Sequence, residues 1–246
     1  MRVDRAVVAA TARLEITGDL SAELRDKPLL LAANHIGNVD VLVLLAACQR
    51  RGIAVRFLAT GGLFDIPVLG RILRQSGSIR ADRHTKSATA ALRHVVDALG
   101  DDQRPVLVYP EGRVCLEAGI WPERGKTGVA RMALAADVPV VPVSQWGAHE
   151  LMCYGKPLAD NALNVLPMIA SWLRAVRRRP TLKVHFGTPV DLTDLSADRP
   201  GDATRARDRI MRAISAGLAP LRATEPDGPH HRDPTRPVSG KRSPWR

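Results

Sequence analysis

The sequence predicts an α/β domain with a mostly parallel central sheet flanked by helices, and two observations carry that prediction. Short continuous apolar runs suit strands buried on both faces, and segments of helical periodicity alternate with those runs along the chain. At 246 residues and 45% apolar side chains, the chain buries a full core without a metal or disulfide staple. Residues 28–33, opened by Pro28, read as a buried strand, and residues 41–49 as the helix that follows, closed near Gly52. Residues 53–58 are the next strand and residues 63–73 an apolar helical segment. Residues 87–99 form a helix with Leu92, Val95, Val96 and Leu99 at i, i+3, i+4 and i+7. The alternation continues with strand 106–109, helix 127–136, strand 138–143 and strand 182–186. Residues 202–218 predict a last helix, with Ile210, Met211, Ile214 and Leu218 on one face. Residues 223–246 are dense in Pro, Arg, His and Gly without apolar periodicity, which predicts a disordered basic tail behind a single domain of residues 1–222.

The formal net charge is +11, carried by 30 arginines against 6 lysines, so planar donors suited to phosphate or carboxylate dominate. An anionic partner is one reading; arginine-rich coding DNA is the other. Aromatics are only 4% of the chain and no nucleic-acid motif is present, so no nucleic-acid partner is expected. Cys48, Cys115 and Cys153 are odd in number and form no C-x-x-C pair, which fits a reducing compartment and suggests neither disulfides nor a metal site. Residues 1–20 lack the apolar stretch of an export signal. The longest apolar run, residues 41–48, falls far short of the roughly 20 residues a membrane-spanning helix needs. The expectation is a cytoplasmic protein that does not span a bilayer, with binding to a membrane surface left open.

Polar clusters stand where predicted strands end. In Asn34-His35-Ile36-Gly37-Asn38-Val39-Asp40, a turn brings a carboxylate toward the imidazole Nδ1, fixing the tautomer and leaving Nε2 to accept a proton. Read alone, the pair also fits a satisfied loop histidine and an acid favoured at a helix N-terminus. Ser76-Gly77-Ser78-Ile79-Arg80-Ala81-Asp82-Arg83 sets arginines around a small-residue turn, where Arg80 and Asp82 also make a plain surface pair. Tyr109-Pro110-Glu111-Gly112-Arg113 places an acid and a guanidinium directly after a strand, as a phosphate clamp or a local ion pair. Arg124-Gly125-Lys126-Thr127-Gly128 opens a helix with two cations, a setting that favours an anion. It is no P-loop, because Ile120 stands where that motif needs glycine.

In this order and spacing the blocks resemble the 1-acylglycerol-3-phosphate acyltransferase family, part of the glycerolipid acyltransferase superfamily. That family carries N-H-x-x-x-x-D, G-x-I-x-x-x-R, F-P-E-G-T-R and V-P-x-x-P-V. Here the blocks are Asn34-His35 to Asp40, Gly77 to Arg83, Tyr109 to Arg113 and Val138-Pro139 to Pro142-Val143, and Phe186 to Leu192 is similar to the closing G-x-P-V-D-L. The resemblance covers residues 25–195 and makes residues 1–222 an acyltransferase domain. It implies transfer of a fatty acyl group from acyl-CoA or acyl-carrier protein to the hydroxyl of a lysophospholipid, most simply 1-acylglycerol-3-phosphate to give phosphatidic acid. It also implies His35 and Asp40 as the catalytic pair and Arg83, Glu111, Gly112, Arg113 and Lys126 as substrate-binding residues. No cofactor is implied beyond the thioester co-substrate, and the partner surface is an anionic membrane, met peripherally on its inner face.

Two departures stand out. The third block lacks its threonine, so Arg113 comes one position early, and residues 158–179 look like added material. That stretch, apolar with Trp172 and ending in Arg177, Arg178 and Arg179, fits an interfacial helix on anionic lipid or a core helix with a cationic end. Three alternatives stay open: a different lysolipid or alcohol acceptor, a covalent mechanism through Cys115, and a basic lipid-binding module without catalysis.

Overall fold

Strand β2 (Leu30–Ala33) sends Leu31 and Ala33 into one apolar core and Leu30 and Ala32 into another, so the sheet it belongs to is covered on both faces. The computed structural model describes residues 3–25, 27–65, 67–81, 88–102, 104–156 and 162–246. Seven strands are described: β1 (Arg13–Thr17), β2, β3 (Arg56–Thr60), β4 (Ile79–Ala81), β5 (Val106–Val108), β6 (Val140–Trp146) and β7 (Thr181–Phe186). Their order across the sheet is β1-β7-β6-β2-β5-β3-β4. Every neighbouring pair is parallel except β6 and β7.

The described helices are α1 (Val3–Thr11), α2 (Ala22–Arg25), α3 (Asp40–Arg50), α4 (Gly61–Phe64), α5 (Pro67–Gln75), α6 (Ala88–Asp102), α7 (Gly128–Ala136), α8 (Val165–Arg178) and α9 (Asp202–Leu221). On one face α3 packs Val43, Leu44 and Ala47 against Leu31, Leu107 and Val141 of the sheet. On the other, α6, α7 and α9 bring Val95, Ala130, Ile210 and Ile214 onto Leu30, Val106 and Val140. This is the predicted fold class.

Three expectations need correction and one open alternative is resolved. The segment 63–73 is two helices, because proline at position 67 starts a new helix rather than continuing one. The last helix runs on to Leu221, with Pro220 in its final turn. The segment leading to Arg179 is not a core helix: within α8, Ala175 is buried while Leu166, Ile169 and Leu173 face outward. Residues 223–246 do not float free. Trp245 Nε1 donates to Glu123 O at 2.9 Å, Ser243 Oγ to Pro122 O at 2.6 Å, and Arg236 Nη1 to Cys115 O at 2.7 Å. The tail is laid across the loop after β5 by side-chain bonds to backbone carbonyls, an interaction that apolar composition does not register.

Candidate active site

Loop 34–39 leaves β2 for α3, and loop 109–127 leaves β5 for α7. Since β2 and β5 are parallel neighbours, both loops emerge at one edge, where open α/β sheets hold ligands. Asn34 is structural: its Nδ2 donates to Gln145 O at 3.0 Å, its Oδ1 accepts Gln145 N–H at 2.8 Å, and Gln145 Nε2 donates to Asn34 O at 2.8 Å. These bonds stitch β2 to β6 and fix the chain just before His35.

His35 Nδ1 lies 2.8 Å from Asp40 Oδ2. The same oxygen accepts the backbone N–H of Ile36 at 2.6 Å and of Gly37 at 3.0 Å. Asp40 opens α3 and is fully buried, so its carboxylate closes the turn and holds the ring at once. The turn is tight enough that a Cβ on Gly37 would lie 3.3 Å from Asp40 Oδ1 and 3.2 Å from Ala148 O. With the proton on Nδ1, Nε2 is an acceptor, and it has no hydrogen-bond partner among the described residues. The His35 side chain keeps 19% of its surface open, which leaves that nitrogen reachable.

Two residues of the loop after β5 support the imidazole. Tyr109 stacks under it, ring centroids 4.1 Å apart and planes 16° from parallel. Sequence reasoning passed over this contact, although an aromatic immediately past a strand and beside the motif acid was its signal. Glu111 is buried and spans the two loops: Oε1 accepts His35 N–H and Oε2 accepts Glu123 N–H, both at 2.9 Å. Burial pushes its carboxyl up to about 8 against the pull of those two donors.

The cations are arranged less simply. Gly112 has φ +69°, and a Cβ there would come within 3.2 Å of Lys126 Nζ, so the turn is open enough for the lysine to lie across it. Lys126 N–H donates to Pro110 O at 2.8 Å, which ties this lysine to the Glu111 turn. Arg113 makes a two-pronged pair with Glu123, Nε to Oε2 at 3.0 Å and Nη2 to Oε1 at 2.9 Å, while half its surface stays exposed. The acid that orders Arg113 is therefore Glu123, not Glu111. Arg80 pairs with Asp65 at 3.8 Å. Arg83 lies outside the described residues, as does Asp82; β4, the strand before them, runs parallel to β3 and so ends at the same edge as His35.

Cys115 does not supply a nucleophile. Its thiol is buried, donates to Trp121 O at 3.2 Å, and burial pushes its pKa far up, away from the thiolate. Its backbone N–H holds His35 O at 2.7 Å. Arg236, from the tail, donates to both Ile36 O and Cys115 O and so clamps the two loops from behind. No sequence signal pointed to that contact, which spans about two hundred residues of chain.

The chain is similar to known acyltransferases. A family model described as Acyltransferase matches residues 13–146. The lyso-ornithine lipid O-acyltransferase of Rhizobium meliloti is 32% identical over 84% of this chain and 70% of its own length. The 1-acyl-sn-glycerol-3-phosphate acyltransferase of Haemophilus influenzae is 28% identical over 47% of each chain. A relative of that name from Chlamydomonas reinhardtii is 32% identical over 53% of this chain and 38% of its own, so the match spans less than half of either glycerophosphate relative. The crystal structure of the 1-acyl-sn-glycerophosphate (LPA) acyltransferase PlsC from Thermotoga maritima superposes with a TM-score of 0.62. That likeness covers 89% of this chain and 76% of the other at 19% identity, a likeness of fold.

Proposed function

The chain belongs to the Acyltransferase family, and from that premise we propose that it transfers a fatty acyl group from a thioester to the free hydroxyl of a lysophospholipid, with His35 as general base. Its kind of chemistry is O-acyl transfer. The observation that carries the proposal is the 2.8 Å contact between His35 Nδ1 and the buried Asp40 carboxylate. It presents Nε2 as a base and provides for the positive charge that forms on the ring.

The acceptor hydroxyl attacks the thioester carbonyl carbon while its proton passes to Nε2. The tetrahedral intermediate collapses with cleavage of the C–S bond, and the thiolate takes the proton back from the imidazolium. The products are an ester and a free thiol. A thioester is already activated, so placement and a base suffice, with no acyl-enzyme and no cofactor beyond the acyl-CoA or acyl-carrier protein that brings the chain. Tyr109 and Glu111 fix the ring and its backbone. Lys126 and Arg113, with Arg83, form the cationic seat for an acidic headgroup, and the enzyme works peripherally at the inner face of a membrane, where such acceptors reside.

The simplest acceptor is 1-acylglycerol-3-phosphate, giving phosphatidic acid. One observation favours a second: Arg113 is already neutralised by Glu123, and the relative matched along 84% of this chain is named for a lyso-ornithine lipid. The test is purified protein with acyl-CoA or acyl-carrier protein and both lysolipids, reading product mass and thiol release. His35→Ala is expected to lose about 10²–10⁴-fold in turnover while the protein stays folded, read as a cooperative melting curve. Turnover near wild type in that variant would remove the mechanism.

A further inference from the structure

Outside the active site, α8 carries the most unusual surface among the described residues. Leu163, in the turn before it, is 65% exposed, and within it Leu166 is 56%, Leu173 54% and Ile169 44% exposed. A folded chain rarely leaves so many large aliphatic side chains together in water. A helix advances about 100° per residue, so Val165, Leu166, Ile169 and Leu173 fall within one arc of about 100°. Ala175, the buried residue of α8, lies on the opposite side, against the protein. Arg177 stands next to the apolar arc, with Arg174 and then Arg178 farther round on the same side and Arg179 at the helix end, and residues 162–179 contain no acid.

We propose that α8 is a membrane-docking helix that sinks its Val165, Leu166, Ile169 and Leu173 stripe into the interfacial layer of an anionic bilayer, with Arg174 and Arg177 on lipid headgroups. The occupant follows from charge. A stripe whose only charged neighbours on α8 are arginines, on a chain of net charge +11, is complementary to an anionic lipid surface and repels a second copy of itself. Length excludes the deeper alternative, since 14 residues rise about 21 Å and cannot cross a bilayer core of about 30 Å.

The helix is also wired to the catalytic loop. Ser171 Oγ of α8 accepts Cys153 N–H at 3.0 Å, and the carbonyls of Cys153 and Tyr154 accept Asn38 Nδ2 at 3.1 and 3.0 Å. Asn38 sits between His35 and Asp40. A bilayer that holds α8 therefore also holds the histidine loop two hydrogen-bonded steps from the lipid surface. The assignment gives the acyl-transfer reading its place of work without resting on it, because docking is measured without turnover.

The experiment is sedimentation of the full chain with sucrose-loaded vesicles of phosphatidylcholine alone or with three parts in ten phosphatidylglycerol. The wild type and His35→Ala are expected to bind the anionic vesicles alike, at least tenfold over neutral ones. Leu166→Glu with Leu173→Glu is expected to lose binding by tenfold or more. Arg174→Ala with Arg177→Ala loses about fivefold per arginine on anionic vesicles. Both double variants keep the wild-type melting curve and wild-type turnover of a monomeric short-chain acceptor. Undiminished vesicle binding by the leucine variant overturns the proposal. So does a wild type that ignores vesicles and elutes as a dimer which that variant splits, which would make the stripe an interface between copies.

Discussion

At the residue scale, one oxygen of Asp40 does two jobs. Accepting the N–H groups of Ile36 and Gly37 shapes the turn, and accepting Nδ1 aims the ring. A chain that folds this turn thereby orients the imidazole; the spacing suggested the pair through five positions, a glycine within them and an acid at the first turn of a helix, and only the resemblance of the other blocks lifted it above a satisfied loop histidine. The Glu123 partner of Arg113 was not legible, because it depends on where a loop of nineteen residues folds back, and Tyr109 left only the signal of an aromatic directly past β5. Cys115 shows the opposite error, a residue suggestive in sequence and inert in place. Its thiol is sealed against Trp121 O and only its backbone reaches His35. Cys115→Ser is therefore expected to keep turnover within about threefold of wild type, measured as thiol release from the acyl donor. Loss comparable to His35→Ala would restore the covalent route.

At the scale of elements, sequence found β2, β5 and β6, whose apolar runs are buried on both faces, and also β3 and β7, the latter burying every second residue. β1 was missed because its residues alternate exposed and half-buried, with Arg13 and Glu15 in water, so at the sheet's edge it reads as a polar terminus. β4 is three residues at the other edge, too short to leave a pattern. What joins the loops after β2 and β5 is the Glu111 carboxyl, and its burial has a sign that can be checked. Because the folded-state pKa, about 8, lies above the ordinary 4.5, the folded chain keeps a proton there that the unfolded chain has released between those pH values. Glu111 therefore contributes to stability below that window, and the contribution is lost as pH rises through it. Melting curves from pH 5 to pH 8 are expected to fall more steeply for wild type than for Glu111→Gln. Parallel curves would mean the carboxyl stays ionised and is held by its two N–H donors alone.

At the scale of the molecule, the tail decides how the site is braced. Arg222, at the end of α9, is buried with its guanidinium 4.4 Å from the Trp121 ring centre and 4.2 Å from that of Trp146. It donates to Gly119 O at 2.7 Å and, through Nη2, to Glu225 O at 2.8 Å. Beyond it, Pro226 O accepts Trp121 Nε1 and Glu225 Oε1 accepts Trp146 Nε1, each at 3.1 Å. Farther on, Arg236 holds the carbonyls of Ile36 and Cys115, and Trp245 holds Glu123 O. Composition predicted disorder here because it weighs apolar burial, whereas this segment is fastened by arginines and indoles bonding backbone oxygens. Its removal should act on stability and catalysis together, since the same loop carries Glu111, Arg113 and Glu123. A chain ended after Ala223 loses the six of these bonds that involve later residues, each worth about 1 kcal/mol, and is expected to melt roughly 12–24 °C lower. Tryptophan emission should shift to the red as Trp121 and Trp146 meet water, and turnover should fall. Arg236→Ala, which leaves the other fastenings, separates the two effects: turnover drops while most of the melting temperature is kept. A shortened chain that melts and turns over like the full one would mean the tail merely rests on the surface, and the bracing of His35 would then lie entirely within the sheet's own loops.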